Sequence, residues 1–246
     1  GVNLHLDTAV SGFDGEADVE RVTLEEQSRP ADVAIVGVGV EPNVELAADA
    51  GIELGETGAI ATDEYGRTNY ENVYAAGDCA EARHVVTGEP DHVPLALTAN
   101  RAGRAIGQTV SGDPEPVGEI AGTAIVKAFD LGVARTGVID EQRAREAGFD
   151  PVSVSISTPS RAHYYPGGDE LTVVLQADRE TGRLLGGAVV GREGAKRIDT
   201  IATALTAGMT VTELRNADLA YAPPFSPVRD PVLTAANVLD GKLDRS

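Results

Sequence analysis

The sequence predicts an α/β segment followed by an α+β domain, and three observations carry that reading. The largely apolar run Ala31 to Gly39 has the pattern of a strand buried on both faces of a sheet. Val73 to Ala76 predicts a second short buried strand, stopped by Gly77-Asp78 and followed by a helix from Pro94 to Val110. After Ser111-Gly112-Asp113-Pro114-Glu115-Pro116 the pattern changes to β-like runs broken by helices, a layered α+β arrangement.

Taken in order, Val2, Leu4 and Leu6 share one face of a first strand. Val19, Val22 and Leu24 suggest a second, with Asp14-Gly15 as the turn between them. Gly37-Val38-Gly39 lacks a third glycine at the required spacing, because Pro42 stands there, so it is no dinucleotide fingerprint. Asn43 to Ala50 reads as a short helix ended by Gly51. A short strand at Ala59-Ile60-Ala61 lies among the turn signals Gly55, Gly58 and Tyr65-Gly66. In the helix from Pro94, Ala99, Gly103 and Gly107 form a small-residue stripe suited to tight packing. Beyond the boundary, strands are expected at Thr123 to Phe129, Val152 to Ser157, Glu170 to Ala177 and Leu184 to Val190, as a meander with helices to one side. The helices are Glu141 to Ala147, Lys196 to Ala207 ended by Gly208, and Pro231 to Leu239.

The net charge of -19 comes from 39 acidic and 20 basic residues, of which only Lys127, Lys196 and Lys242 are lysines. Such a surface repels nucleic acid and anionic membrane. Scattered acids with so few lysines are the expectation for a halophile's cytoplasmic protein, whose self-repulsion salt screens; an ordinary acidic protein is the plainer alternative. No apolar run is long enough to span a bilayer, and no export signal is visible at Gly1. A start at Gly1 rather than Met fits processing or a piece of a longer chain. Cys79 is the single cysteine, which excludes an internal disulfide and a CxxC pair, and His5, His84, His92 and His163 lack metal-ligand spacing.

Three stretches carry chemistry. A carboxylate at a strand end, Asp78 after Gly77, is placed to accept hydrogen bonds from sugar or ribityl hydroxyls, although Gly-Asp by itself is most simply a tight turn. The helix opening at Pro94-Leu95-Ala96 has free amides that can face an anionic ring or carbonyl. Tyr221 followed by Pro223-Pro224 is a stiff loop presenting a phenol, able to hydrogen-bond a ligand or to donate a proton as a general acid. Tyr164-Tyr165 precedes Pro166-Gly167, and interface packing is the plain alternative for that pair.

With its flanking strand and helix, Asn72-Val73-Tyr74-Ala75-Ala76-Gly77-Asp78 resembles the second flavin-binding segment of two-dinucleotide-binding-domain flavoproteins. Residues 119–246 resemble the dimerisation domain of pyridine nucleotide-disulfide oxidoreductases. Arg161-Ala162-His163-Tyr164-Tyr165-Pro166-Gly167 and Leu219-Ala220-Tyr221-Ala222-Pro223-Pro224-Phe225-Ser226-Pro227-Val228-Arg229-Asp230-Pro231 sharpen that to coenzyme A-disulfide reductases, NADH oxidases and persulfide reductases. The likeness covers the whole chain but only the second half of the family's sequence.

It implies three parts: residues 1–43 end an NAD(P)-binding domain, 44–115 form the second half of an FAD-binding domain, and 119–246 form a dimerisation domain. It implies a homodimeric enzyme, of haloarchaeal type, passing electrons from NAD(P)H through FAD to a coenzyme A-like disulfide or persulfide, or to oxygen. By position, Gly77, Asp78, Pro94, Leu95, Ala96 and Tyr221 would touch FAD. Tyr164 and Tyr221 would serve the reaction from the partner subunit, and Asn100 and Arg229 would bind substrate, Arg229 through phosphates. An ion pair with Asp230, or with an acid across the dimer, is an equal alternative for Arg229. The family's redox cysteine lies outside this chain, so Cys79 is expected to be a small buried residue. The alternatives are a non-catalytic dimerisation scaffold and a ferredoxin-type electron-transfer reductase.

Overall fold

The computed structural model describes residues 2–25 and 27–243, which form two compact units, 1–41 and 42–246. In the first unit, β1 (Val10–Asp14), β2 (Arg21–Leu24) and β3 (Ser28–Pro30) form an antiparallel sheet in that order. The first strand therefore lies later than Val2 to Leu6 predict, and residues 2–9 carry no strand. The run from Ala31 to Gly39 also corrects its expectation. It is not a strand, and Val33, Ile35, Val36 and Val38 are exposed. An apolar run becomes a buried strand only when neighbours complete its ladder and cover its faces. No strand among the described residues forms a ladder with it beyond the single bond from the Ala31 amide to the Glu20 carbonyl at 3.0 Å.

The second unit opens with α1 (Glu45–Asp49), ended where Gly51 turns to a φ of 77°. The expected strands at 59–61 and 73–76 are not strands. Ile60 makes isolated bridges to Leu54 and Ala80, and Tyr74 makes one to Arg67. Ala75 and Ala76 are half-buried, because the described chain supplies no parallel neighbours. The small hairpin of β4 (Ala82–Arg83) and β5 (Pro90–Asp91) follows, then α2 (Ala96–Val110). On α2 the buried face is Ala102, Ala105 and Thr109. Gly103 and Gly107 have open space where a side chain would stand, so the small-residue stripe is not a packing face among the described residues.

The segment Ser111 to Pro116 is irregular, and an antiparallel five-stranded sheet lies beyond it. Its strands are β6 (Ala124–Ala128), β7 (Leu131–Gly137), β8 (Pro151–Pro159), β9 (Glu170–Asp178) and β10 (Leu184–Gly191), with α3 (Glu141–Glu146) between β7 and β8. The order β6-β7-β10-β9-β8 replaces the simple meander that the sequence predicts, because β10 inserts between β9 and β7. After a 3₁₀ turn at Ala195–Arg197 come α4 (Ile198–Thr206), α5 (Val211–Arg215) and α6 (Pro231–Leu243). Helix α4 lies on β7 and β10, and α6 on β8 and β9. The core between them holds Leu175, Leu185 and Val189 of the sheet against Ile201, Leu205, Val232 and Leu239. Each such side chain contributes about 1.5–3 kcal/mol by leaving water, and this core holds still the loops that emerge at one end of the sheet.

Candidate functional site

The two proposed tyrosines, 57 residues apart in sequence, meet: the Tyr164 and Tyr221 hydroxyls lie 3.2 Å apart. Both rings are open to solvent, at 63% and 43% exposure, and His163 stands edge-on to Tyr164 at 5.5 Å. The hydrogen bond with Tyr164 raises Tyr221 above the usual phenol range. Whichever hydroxyl accepts keeps its own hydrogen free for an outside acceptor. Tyr165 is a wall of the adjoining groove. That groove, about 460 Å³, is lined also by Arg161, His163, Pro166 and Asp169.

What fixes these loops is a polar cluster that the sequence reading missed. Two bonds between Ser160 and Asp169 close the base of the first loop: Ser160 N donates to Asp169 O at 2.8 Å, and Asp169 N donates to Ser160 Oγ at 3.0 Å. Glu193 accepts from Ser160 Oγ at 2.8 Å and from Arg161 Nε at 2.9 Å. Burial pushes the Glu193 carboxyl up, but the bonds from Arg161 and Ser160 outweigh it and leave it below the ordinary carboxylate range. Arg197 donates to Asp230 at 2.9 Å, so Asp230 is committed to Arg197 rather than to Arg229. Arg229 is exposed and, among the described residues, has no ion pair. The only signal in the sequence was the Glu193–Arg197 spacing of one helical turn, which by itself reads as a surface pair.

The second group of predicted residues surrounds the start of α2. Gly77 has a φ of 85°, which favours glycine, and a side chain there would reach Ala99 of α2 at 3.4 Å. The turn it makes leaves Asp78 exposed, with its backbone carbonyl accepting from His92 Nε2 at 2.8 Å. A carbonyl only accepts, so His92 carries its hydrogen on Nε2. Helix α2 begins at Leu95 without a side-chain cap, so the amides of Ala96, Leu97 and Thr98 have no intrahelical acceptor. Pro94 and Leu95 are half-buried and line a cavity of about 230 Å³ with His84, His92 and Arg135, while Ala96 and Asn100 are exposed. A glycine turn, an exposed carboxylate and an open helix end fit hydroxyl and carbonyl groups of a bound flavin nucleotide. Cys79 is half-buried rather than buried, with its sulfur 3.6 Å from the Ala76 carbonyl.

Another cavity, of about 540 Å³, lies elsewhere, between Glu64, Glu81, Arg83 and Glu119. Its acidic walls disfavour an anionic ligand, and no predicted site residue lines it. Among the described residues no hydrogen bond or ion pair links the α2 group to the tyrosine group. No cluster of three potential metal ligands occurs among them either.

Two sequence profiles of one family match this chain: pyridine nucleotide-disulphide oxidoreductase over residues 1–103, and the dimerisation domain of the same enzymes over residues 123–231. The chain belongs to the pyridine nucleotide-disulphide oxidoreductases. It is 44% identical, over 97% of its length, to an NAD(P)H coenzyme A polysulfide/persulfide reductase of Pyrococcus horikoshii, of which it covers 53%. With a coenzyme A disulfide reductase of Staphylococcus aureus it shares 36% identity over 81% of its length, covering 45% of that protein. The structure of an NAD-dependent persulfide reductase from A. fulgidus superimposes with a TM-score of 0.92 at 43% identity, over 100% of this chain and 46% of that one. The chain spans about half the length of the curated relatives it matches. Within the family fold, the α/β then α+β succession expected from the sequence is present.

Proposed function

We propose that the complete protein is a homodimeric FAD-dependent oxidoreductase that takes electrons from NAD(P)H and reduces a small disulfide or persulfide of the coenzyme A type. The observation that carries this reading is the exposed Tyr164–Tyr221 hydroxyl pair at 3.2 Å. Bound flavin would supply the acceptor for hydride and the source of electrons. Gly77, Asp78, Pro94, Leu95 and Ala96 would hold it, through the open turn and the uncapped end of α2. The tyrosine pair would face a substrate sulfur. An ordinary phenol ionises near 10 and a thiol near 8.5, so full proton transfer from phenol to thiolate runs uphill. The pair therefore stabilises a departing thiolate by hydrogen bonding, an effect on the order of 10²-fold for a well-placed donor. Arg229, exposed and without an ion pair among the described residues of an acidic chain, suits the phosphates of an anionic substrate, with Asn100 as a further contact.

The reading has three parts, 1–43, 44–115 and 119–246, with the last making the dimer and bringing Tyr164 and Tyr221 to the other subunit's flavin. The P. horikoshii and A. fulgidus relatives, both persulfide reductases by name, support disulfide or persulfide over oxygen as acceptor. The acidity, with three lysines, supports a haloarchaeal cytoplasmic setting. Among the described residues no helix is long and apolar enough to cross a membrane.

Stopped-flow measurement of both half-reactions in the full-length Tyr221→Phe enzyme tests the proposal. Loss of one hydroxyl should slow reduction of the disulfide by roughly 10²-fold and leave flavin reduction by NAD(P)H unchanged. Equal slowing of both halves would make Tyr221 part of the flavin site instead, and no slowing of either would leave the pair as interface packing.

A further inference from the structure

We infer that Arg197 is the positioning residue that sets the spacing of the two tyrosine hydroxyls. The inference rests on the reading of Tyr164 and Tyr221 given above. The Arg197 side chain is 14% exposed, and its guanidinium reaches four partners at once. Nε donates to Asp230 Oδ2 at 2.9 Å and Nη1 to the Glu193 carbonyl at 2.7 Å. Nη2 donates to the Ser160 carbonyl at 3.0 Å and the Phe225 carbonyl at 2.8 Å. Ser160 closes the base of the loop that carries Tyr164, while Phe225 and Asp230 lie on the segment that carries Tyr221. One planar fork thus ties both loops to the turn before α4.

The geometry leaves few other devices to hold the pair. Neither ring is buried, so packing around the rings does not define their separation. At 3.2 Å the hydroxyl contact is already longer than the usual O–H···O bond of about 2.5–3.0 Å, and a shift of about 1 Å at either loop base would break it. The arginine contacts are with loop-base carbonyls and with a carboxylate that itself accepts from Ser226 Oγ at 3.2 Å and from the Val232 amide at 2.8 Å. That carboxylate starts α6, so Arg197 references the Tyr221 segment to the helical layer as well as to the other loop. Lysine keeps the charge but offers a compact ammonium with three donors and no fork, and cannot reach four acceptors arranged around a plane.

The test uses the full-length holoenzyme carrying Arg197→Lys, Arg197→Gln or Asp230→Asn. Asp230→Asn keeps an oxygen for the Val232 amide, while its NH2 cannot accept from Arg197 Nε or Ser226 Oγ, so the start of α6 is retained and the arginine contact is lost. Three results are expected. Reduction of the disulfide slows about tenfold or more in Arg197→Lys, as for a reacting group displaced by roughly 1 Å, while flavin reduction by NAD(P)H is unchanged. Tyr164→Phe, costly in the parent enzyme, costs little more in Arg197→Lys, because the hydroxyl is already misplaced. Crystal structures of the Arg197→Gln holoenzyme show the two hydroxyls beyond about 4 Å.

A disulfide half-reaction at the parent rate in Arg197→Lys, together with slow Tyr164→Phe and Tyr221→Phe enzymes, would overturn the inference and leave the tyrosine reading standing. If instead the tyrosine variants react normally, that reading fails by itself. Hydroxyls still within hydrogen-bond distance in the Arg197→Gln crystals would then overturn the positioning role independently.

Discussion

Asp78 owes its exposure to the residue before it. Gly77 adopts a φ of 85° that other residues reach only under strain, and the turn presents the next carboxylate to solvent instead of to protein donors. If that carboxylate binds flavin hydroxyls, Asp78→Ala in the full-length protein should weaken FAD retention by about 1–3 kcal/mol, the loss of a charge-assisted hydrogen bond. Equilibrium dialysis with an unchanged dissociation constant would count against the assignment. At the same scale, the site contains an arginine in two very different situations. Arg197 is fully engaged, and Arg229, though next to Asp230 in sequence, carries no ion pair among the described residues. Sequence adjacency made Arg229 and Asp230 an obvious pair, and the fold assigned the carboxylate elsewhere.

Strand β10 is the element that decides the sheet. Its register sets Gly186 opposite Gly137 on one side and Gln176 on the other. A side chain at Gly186 would meet the Val138 carbonyl at 2.3 Å, so two backbones approach there more closely than any larger residue permits. Gly186→Ala should therefore lower stability by about 1–3 kcal/mol, the usual range for overpacking. Gly241 of α6 makes the matched control: nothing lies within 4 Å of its would-be side chain. Gly241→Ala should be neutral or stabilising by up to about 1 kcal/mol through helix propensity. Urea denaturation of both variants compares the two, and equal effects would refute the close-approach argument. A central strand flanked on both sides is also what keeps the ends of β8 and β9, and hence the Tyr164 loop between them, at fixed height.

Over the whole molecule, a net charge of -19 opposes any close association, while Ile125, Val126, Phe129, Phe225 and Val228 stand exposed on the proposed dimerisation domain. The two terms respond oppositely to salt. Screening shortens from about 10 Å at 0.1 M to about 3 Å at 1 M, which removes repulsion without weakening apolar contact. The full-length protein should therefore be dimeric by light scattering in molar KCl and should melt at higher temperature there than in dilute buffer. A monomer in molar salt would remove the basis for a site shared between subunits.

Much of the architecture was legible because its signals are local. Helices α1, α2, α3 and α6 begin and end close to their predicted bounds, and the runs that became β6, β8, β9 and β10 were each marked by apolar β-formers between turns. The loop sequences around Tyr164 and Tyr221 likewise carried the family likeness. Strand β7 and helix α5 escaped notice, the first for its glycines and the second for its shortness. What the sequence by itself determined was thus the elements, the acidic surface and the residues able to do chemistry. Tertiary structure alone decided that Ala31 to Gly39 forms no strand, that β10 enters between β7 and β9, and that one arginine joins two tyrosine loops. The reason is physical: propensity and periodicity act over a few neighbouring residues, whereas a ladder partner or a fourth hydrogen-bond acceptor exists only after distant segments have been brought together.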